Sequence, residues 1–462
     1  MNAHRPVTSP ARSAGWRAIL LARFRARRER DRQSGVAFLI TISSLSLLIA
    51  LVSQFTYGTT VDAAQAANAR DEVRAHYLAR SAVSLSRLLI KIQLQFVEKI
   101  MQAAQQMLAD KMGGQDLGIS LRVTDYIGPV LGFFSGSKME TALLSGLIGI
   151  DASEATGLGI PTGHMDAEIT NEDGKIDINC GGGMTPDRSR QIKVFRLLQA
   201  LMASPRYNWL FEQRNAEGQF VDRVDLARAI IDWADADEQA FAVDANSSGP
   251  EDYRYDQRDD PYQAHNNYYD TVDETNLVRG MDPDYAEAFA SNFTVYASDP
   301  LQNCRVNLAS VKGDCTPLIV GLVRAALFPD PSKPPTDLSI LDDNRLYPLA
   351  SILCERSQAV GFGSLDALIG VLNNPAASIA RDDPRYQLMQ NLTGITITTK
   401  QLQDVAYVGA PRVYRVVATG ESGKVKKRII VILDSQGYLA NPITNNPLGE
   451  QASGVVQYWR EE

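Results

Sequence analysis

The sequence predicts an α+β fold: a long N-terminal helix, a first group of strands, a large inserted helical domain, and strands that close the sheet. Three observations carry this. From Val36 to Phe55 the run VAFLITISSLSLLIALVSQF contains no charge; as a helix rising 1.5 Å per residue it would be ~30 Å long, the thickness of a bilayer's hydrocarbon core. The middle of the chain is filled by segments with apolar residues at helical spacing. On either side stand alternating segments, MDAEITNEDGKIDINC at 165–180 and YRVVATGESGKVKKRIIVIL at 414–433.

Charge is distributed unevenly. Residues 1–34 hold nine Arg against Glu29 and Asp31, a net of +7, which leaves −15 on the rest of a chain whose total is −8. Arginines on one flank of the apolar run predict that the N-terminal side stays in the cytoplasm, that the chain crosses the membrane once, and that everything after Phe55 is exported. The Ser and Thr residues in the run can bond to carbonyls of the preceding turn, so they do not forbid insertion. An acidic body excludes nucleic acid as a partner, since that needs a basic face. The basic segment reads as an orientation and targeting signal.

Beyond Phe55 the helix should continue to residue 112, because Val61 to Met112 lacks Pro and Gly and is rich in strong helix formers. Val73, Tyr77, Leu78, Val83, Leu85, Leu88, Leu89, Ile92 and Phe96 recur at helical spacing. Residues 113–164 are Gly-rich and read as an insertion with an amphipathic helix at 138–150; Pro129, Lys138 and Glu140 make its apolar part a poor membrane span. Residues 165–180 read as a β-hairpin turning at Asp173-Gly174, with Ala167 and Ile169 facing Ile176 and Ile178. Asn171, Asp173, Gly174 and Asp177 also resemble half of a calcium-binding EF-hand, without its closing Glu.

The inserted domain is expected over 181–390. Its helices are read at Asp187 to Ser204 with Asp187 as N-cap, Asp222 to Ala234, Thr316 to Leu327 with Thr316 as N-cap, Tyr347 to Gln358, and Leu365 to Leu372. Phe293 to Leu308 reads as strand, turn, strand. Residues 391–462 are read as closing strands and tail: Gly394 to Thr398, Arg412 to Gly420 and Lys426 to Leu433, with Tyr414, Val416 and Ala418 facing one way.

An exported body permits disulfides. Four cysteines, Cys180, Cys304, Cys315 and Cys354, allow three connectivities; the short loop between Cys304 and Cys315 favours that pair, leaving Cys180 with Cys354. No CxxC or His-Cys cluster points to zinc.

The most chemically suggestive stretch is the acidic loop 232–274, where Asp and Glu far outnumber Arg254 and Arg258. Hard cations such as calcium take six to eight oxygens of this kind. Its acids lie in one short segment, unlike the separated pair of a glycosidase, and no P-loop, HExxH or Gly-x-Ser-x-Gly is present. The chain therefore reads as no enzyme.

Several motifs, in order, resemble a known family. Arg32-Gln33-Ser34-Gly35 before Val36-Ala37-Phe38-Leu39-Ile40 is similar to a prepilin leader, in which the small residue precedes the apolar run. The resemblance implies that residues 1–35 form a leader cut by prepilin peptidase between Gly35 and Val36. Most pilins and pseudopilins carry Glu at the fifth mature position; here that residue is Ile40, which resembles the K class of type II secretion minor pseudopilins. Asp232-Trp233-Ala234-Asp235-Ala236-Asp237-Glu238, Gly249-Pro250-Glu251-Asp252-Tyr253 and Val306-Asn307-Leu308-Ala309-Ser310 resemble that class as well. The resemblance implies calcium bound by Asp235, Asp237, Glu238, Glu251 and Asp252. It implies a tip position in the pseudopilus, assembly initiation, support for export of folded proteins across the outer membrane, and a pseudopilin sheet holding the inserted α-domain. The implied partners are minor pseudopilins of the I and J classes, the major pseudopilin and secreted substrates. The alternatives are a membrane-anchored periplasmic calcium-binding scaffold and a minor pilin of a type IV pilus.

Overall fold

The computed structural model describes residues 14–97, 100, 103, 123–128, 130–131, 163–215, 218–243, 249–251, 255, 261–296, 303–328, 342–359, 361–378, 381–391, 394–435 and 455–462. The chain divides into two units, Met1–Asp71 and Glu72–Glu462.

Helix α1 spans Ala14–Ile92, and Gly35, Val36 and Ile40 lie within it without a break. In the first unit it is long and apolar enough to cross a membrane, and its apolar window is wholly exposed. The hydroxyls in the run bond back into the helix: Thr41 donates to the carbonyl of Phe38 at 2.8 Å, and Ser46 to that of Ile42 at 2.8 Å. Such bonds keep polar side chains satisfied in hydrocarbon.

In the second unit, α1 ends in a π-helical turn, Gln93–Val97. The helix expected from there to 112, like the one at 138–150, falls almost entirely outside the described residues. A four-stranded antiparallel sheet runs in the order β1 (His164–Asn171), β6 (Val413–Ser422), β7 (Val425–Asp434), β8 (Val455–Glu461). Strand alternation sends Tyr414, Val416 and Ala418 to one face, opposite Leu433, Val431 and Ile429. Leu78, Ala79, Ala82, Val83, Leu89 and Ile90 of α1 pack on that face. The small alanines permit close approach: a Cβ on Gly420 would stand 2.0 Å from the Ala75 carbonyl oxygen and 2.5 Å from the Ala79 nitrogen. The apolar residues Val73, Tyr77 and Leu88, read from the sequence as part of the helix's periodic face, are instead exposed, because the alanine stripe occupies the seam.

The helical domain encloses a larger core. Phe195 and Leu198 of α2 (Arg188–Met202), Leu226 and Ile230 of α3 (Arg223–Asp232), and Leu318 to Val323 of α5 (Thr316–Leu327) meet Leu349 and Leu353 of α6 (Asp343–Ala359) and Leu368 and Leu372 of α7 (Leu365–Asn373). Between α3 and α5 lies α4 (Pro283–Phe289). Asp187 caps α2, accepting from the backbone nitrogens of Ser189 and Arg190. The N-cap of α5 is Cys315, which places Thr316 and Pro317 inside the first turn.

Three expectations are corrected. Residues 165–180 do not form a hairpin: β1 pairs with β6, while β2 (Ile176–Asp177) pairs in parallel with β3 (Phe293–Thr294). The turn is there, with Lys175 N donating to the Glu172 carbonyl at 3.1 Å. Buried Asp173, however, accepts from the backbone nitrogens of Arg412 and Val413 at 2.7 and 2.9 Å, so the turn is bonded to the start of β6 and leads out of the sheet into the helical domain. Those same bonds make Asp173 a structural acceptor rather than a calcium-loop residue. Second, residues 394–398 are not a strand. Ile395 N donates to the Leu372 carbonyl, and Ile397 exchanges bonds with the Asn373 side chain, so this backbone closes the end of α7. It leads into α8 (Thr399–Gln403) and then β5 (Ala406–Tyr407), which pairs in parallel with β4 (Val306–Asn307). Thus β3 and β4 belong to different ladders.

Third, the disulfides are Cys180–Cys304 and Cys315–Cys354, not Cys304–Cys315 and Cys180–Cys354. Proximity in sequence misleads because β4 intervenes. Cys304 lies beside the start of α2, its sulfur 3.8 Å from the Arg190 carbonyl. Cys315 caps α5 against α6, which carries Cys354.

Candidate functional site: a buried acidic turn

Helix α3 delivers the acidic segment into the domain interior. Asp222 caps it, accepting from Val224 N at 2.7 Å. At its end Trp233 N bonds to the Ala229 carbonyl and Ala234 N to that of Ile231. The turn that follows buries Asp232 and Asp235, at 1 % and 2 % exposure. A short antiparallel bridge, Gln239 to Pro250, brings Glu251 to the same region, where it is also buried. Asp237 and Glu238 are exposed, and Asp252 lies outside the described residues.

The two buried aspartates are only partly compensated. Asp232 Oδ1 accepts from Phe241 N at 2.7 Å, and its Oδ2 is 3.8 Å from the Arg279 guanidinium, beyond hydrogen-bond reach. Asp235 Oδ2 accepts from Gln191 Nε2 at 2.6 Å, while its Oδ1 is buried with no hydrogen bond. Burial pushes the Asp232 carboxyl up to about 7, with Asp237 adding to it and the Phe241 N–H and Arg279 opposing it. Burial, with the neighbouring Asp232 and Asp237 adding to it and the Gln191 amide opposing it, pushes Asp235 up to about 8.

Aromatic rings wall the turn. Trp233 lies 5.8 Å from Tyr255, 6.1 Å from His265 and 6.4 Å from Tyr269 between ring centroids. Tyr269 is anchored by its hydroxyl to the Ile230 carbonyl at 2.8 Å and by its backbone to Asn179. Asn179 in turn donates to the carbonyls of Tyr269 and Val295, so β2, α3 and the segment before β3 hold one another. A cavity of about 350 Å³ lies beside Asp232, lined also by Phe220, Arg228 and Arg279. Its walls mix both charges, and nothing there resembles a nucleophile with a base.

Buried carboxylate oxygens without donors are the chemistry of a cation site, since a buried charge needs a counter-charge. Asp232 and Asp235 fit that need. Among the described residues, no three acidic, His or Cys side chains stand close enough together to hold one ion, so these oxygens are short of a complete shell by themselves. Of the five acids read from the sequence, the structure brings Asp235 and Glu251 inside and leaves Asp237 and Glu238 on the surface. Sequence reasoning did not place Asp232 among the ligands, although it opens the Asp-Trp-Ala-Asp motif. Gln191, 44 residues from Asp235, gave no signal at all.

Comparison with known proteins bears on residues 187–298, which include the motifs at 232–238 and 249–253. No curated protein matches the chain. A solved chain from the GspK-GspI-GspJ complex of the enterotoxigenic Escherichia coli type 2 secretion system is a distant likeness, 12 % identical, with a TM-score of 0.38, covering 79 % of this chain and 99 % of that one. Residues 187–298, which include α2, α3 and the acidic turn, match the family model described as type II secretion system (T2SS), protein K. The chain is thus similar to protein K of the type II secretion system, through the very domain that buries the acidic turn.

Proposed function

We propose that this protein is the minor pseudopilin of the K class that occupies the tip of a type II secretion pseudopilus. The observation that carries this reading is the protein K pattern over 187–298, set in a chain whose apolar helix follows Gly35 and carries Ile40 where related subunits carry Glu. Prepilin peptidase removes residues 1–35 on the cytoplasmic side, and the apolar helix holds the subunit in the inner membrane until assembly. Without an acid at Ile40 the subunit lacks the group that pairs with the N-terminal amine of a neighbour. The bulky helical domain cannot be covered by another subunit, which confines it to the tip. There it joins minor pseudopilins of the I and J classes, begins the filament above the major pseudopilin, and supports export of folded substrates.

Calcium is proposed as the ligand of the acidic turn, held by Asp232, Asp235 and Glu251, with Asp237, Glu238 and Asp252 as the remaining candidate oxygens. Its role would be to neutralise the buried carboxylates and lock the turn.

N-terminal sequencing of the mature protein tests the first part: the expected residue is methylated Val36, and any other start removes the pseudopilin reading. Co-purification tests the second: the I and J class subunits should come down with the mature protein. Ile40→Glu should restore the group that pairs with a neighbour's N-terminal amine and so raise crosslinking to the major pseudopilin, while the helical domain keeps the subunit at the tip; crosslinking no greater than wild type would detach Ile40 from that pairing.

A further inference from the structure

We propose that Gln191, together with the strap 180–183, is the positioning element of the acidic turn, orienting Asp235 so that one carboxylate oxygen faces the cation. This rests on the calcium reading above. Gln191 is 5 % exposed and sits one turn into α2. Its amide donates to Asp235 Oδ2 at 2.6 Å, which fixes the plane of the carboxylate and leaves Oδ1 as the open oxygen. Groups that hold a metal's ligands in this way control affinity without touching the ion.

The strap explains how the two main chains keep their spacing. It runs between the start of α2 and the acidic turn, and at Gly181, Gly182 and Gly183 there is no room for a side chain. A Cβ on Gly181 would stand 2.8 Å from Gln191 N, and one on Gly182 would stand 2.5 Å from the Ala234 carbonyl oxygen. Gly183 N donates to that same Ala234 carbonyl at 2.7 Å, and Asp187 N donates to the Gly181 carbonyl at 2.8 Å. At its head Cys180 is tied to Cys304, whose sulfur lies against the Arg190 carbonyl. The disulfide and these close backbone contacts together set the distance over which Gln191 reaches Asp235. The second disulfide, Cys315–Cys354, braces α5 against α6 and touches none of these groups, so it serves as an internal control.

The test uses the full chain in detergent, stripped of calcium with chelator and titrated with calcium chloride by calorimetry, with thermal melting recorded with and without the ion. Gln191→Leu should weaken calcium binding ~10–100-fold while melting in chelator stays near wild type, so that the calcium-induced rise in melting temperature shrinks. Replacing Cys180 and Cys304 together by Ser should also weaken binding, and replacing Cys315 and Cys354 together should not. Should Gln191→Leu fail to fold, Gln191→Glu serves instead. It removes the donor and adds a second carboxylate, so it should melt lower than wild type in chelator and recover most of that difference in calcium. If wild type binds calcium and Gln191→Leu binds within twofold of it, the positioning role is overturned while the calcium reading stands. The positioning role is likewise overturned if either Gln191 variant lowers melting equally with and without calcium, since that is a purely structural effect. If wild type itself binds no calcium, the calcium reading fails and takes this inference with it.

Discussion

Glu172 and Asp173, on the turn after β1, and Asp232 and Asp235, on the turn after α3, are buried alike, at 0, 4, 1 and 2 % exposure, yet their surroundings differ in kind. Glu172 faces Lys175 at 3.3 Å and Arg415 at 2.5 Å. Asp173 accepts two backbone N–H bonds, and next to it Arg412 grips Asp434 with two hydrogen bonds of 2.8 and 2.9 Å. Asp232 and Asp235 have Arg279 at 3.8 Å, one backbone donor and one neutral amide. Burial of a carboxylate is costly in either place. The first pair finds partners within the chain, enough to offset burial at Glu172 and part of it at Asp173, and it fastens the sheet to the helical domain. The second leaves oxygens open, which is what a site for an external cation requires.

The largest expected effect breaks the compensated pair. Arg415→Met leaves Glu172 with Lys175 as its one cation, beside the Thr294 hydroxyl, and should cost about 3 kcal/mol, the scale for removing one partner of a buried ion pair, read as a lower denaturant midpoint. An unchanged midpoint would mean that the sheet and helical domain do not depend on this contact. The parallel change at the other turn, Asp235→Asn in chelator, should cost far less, because a carboxyl pushed up to about 8 is already mostly protonated at neutral pH and Asn replaces one neutral side chain by another.

Next in size is calcium itself. At a hundredfold excess over its Kd, an ion bound only by the folded state adds about 2.7 kcal/mol. Wild type should melt higher in calcium than in chelator, and Asp235→Asn should lose that increment while Glu172→Gln keeps it. Equal melting with and without calcium would reduce the acidic turn to strained interior surface.

How much of this contrast was readable beforehand depends on the range of the interactions involved. The long apolar helix, the Asp187 cap, α5 and the face shared by Tyr414, Val416 and Ala418 all follow from local periodicity, and each is where the pattern puts it. The partners of Glu172 and Asp173 lie about 240 residues away, so the local pattern of 165–180 resembled a hairpin when its hydrogen bonds in fact close on β6. The disulfides misled for the same reason, since Cys180 and Cys304 are 124 residues apart. Acid density located the turn after α3, but it could not distinguish buried Asp232 and Asp235 from exposed Asp237 and Glu238. That sorting is made by the end of α3, where backbone hydrogen bonds decide which side chains face inward. Strand β8 at 455–461 went unread because its neighbours in space, not its own composition, make it an edge strand.

A smaller effect separates the members of the compensated pair by pH. Burial pushes Asp173 up to about 6, against its two backbone donors and Arg412. A carboxyl whose folded pKa exceeds its unfolded value binds more protons when folded, so its contribution is full below the unfolded value of 3.8 and is lost as pH rises to 6. Glu172 runs the other way. Burial pushes it up, but Lys175, Arg415 and a bond with Thr294 bring it below the ordinary range, so its contribution is present at neutral pH and is lost as pH falls below about 4.5. Subtracting the Asp173→Asn stability curve from wild type should therefore show wild type losing roughly 1–2 kcal/mol between pH 4 and 6. A flat difference would mean that Asp173 is already ionised at pH 4 and that its two N–H donors outweigh burial.

The smallest effect belongs to an ion pair that the same comparison predicts to be inert. Lys427 on β7 stands 2.9 Å from Glu72 on α1, with Lys427 one-third exposed and Glu72 more than half exposed. Its geometry is as good as that of Lys175 with Glu172, and Lys427 holds Glu72 below the ordinary carboxylate range by hydrogen bonding and by charge. Water and salt compete freely there, and ordering two long side chains offsets what attraction remains. Glu72→Gln should leave the denaturation midpoint unchanged at physiological salt, whereas Glu172→Gln lowers it. If the two substitutions cost the same, distance alone would rank ion pairs in this protein, and the contrast between the compensated turn and the open one could no longer be attributed to burial.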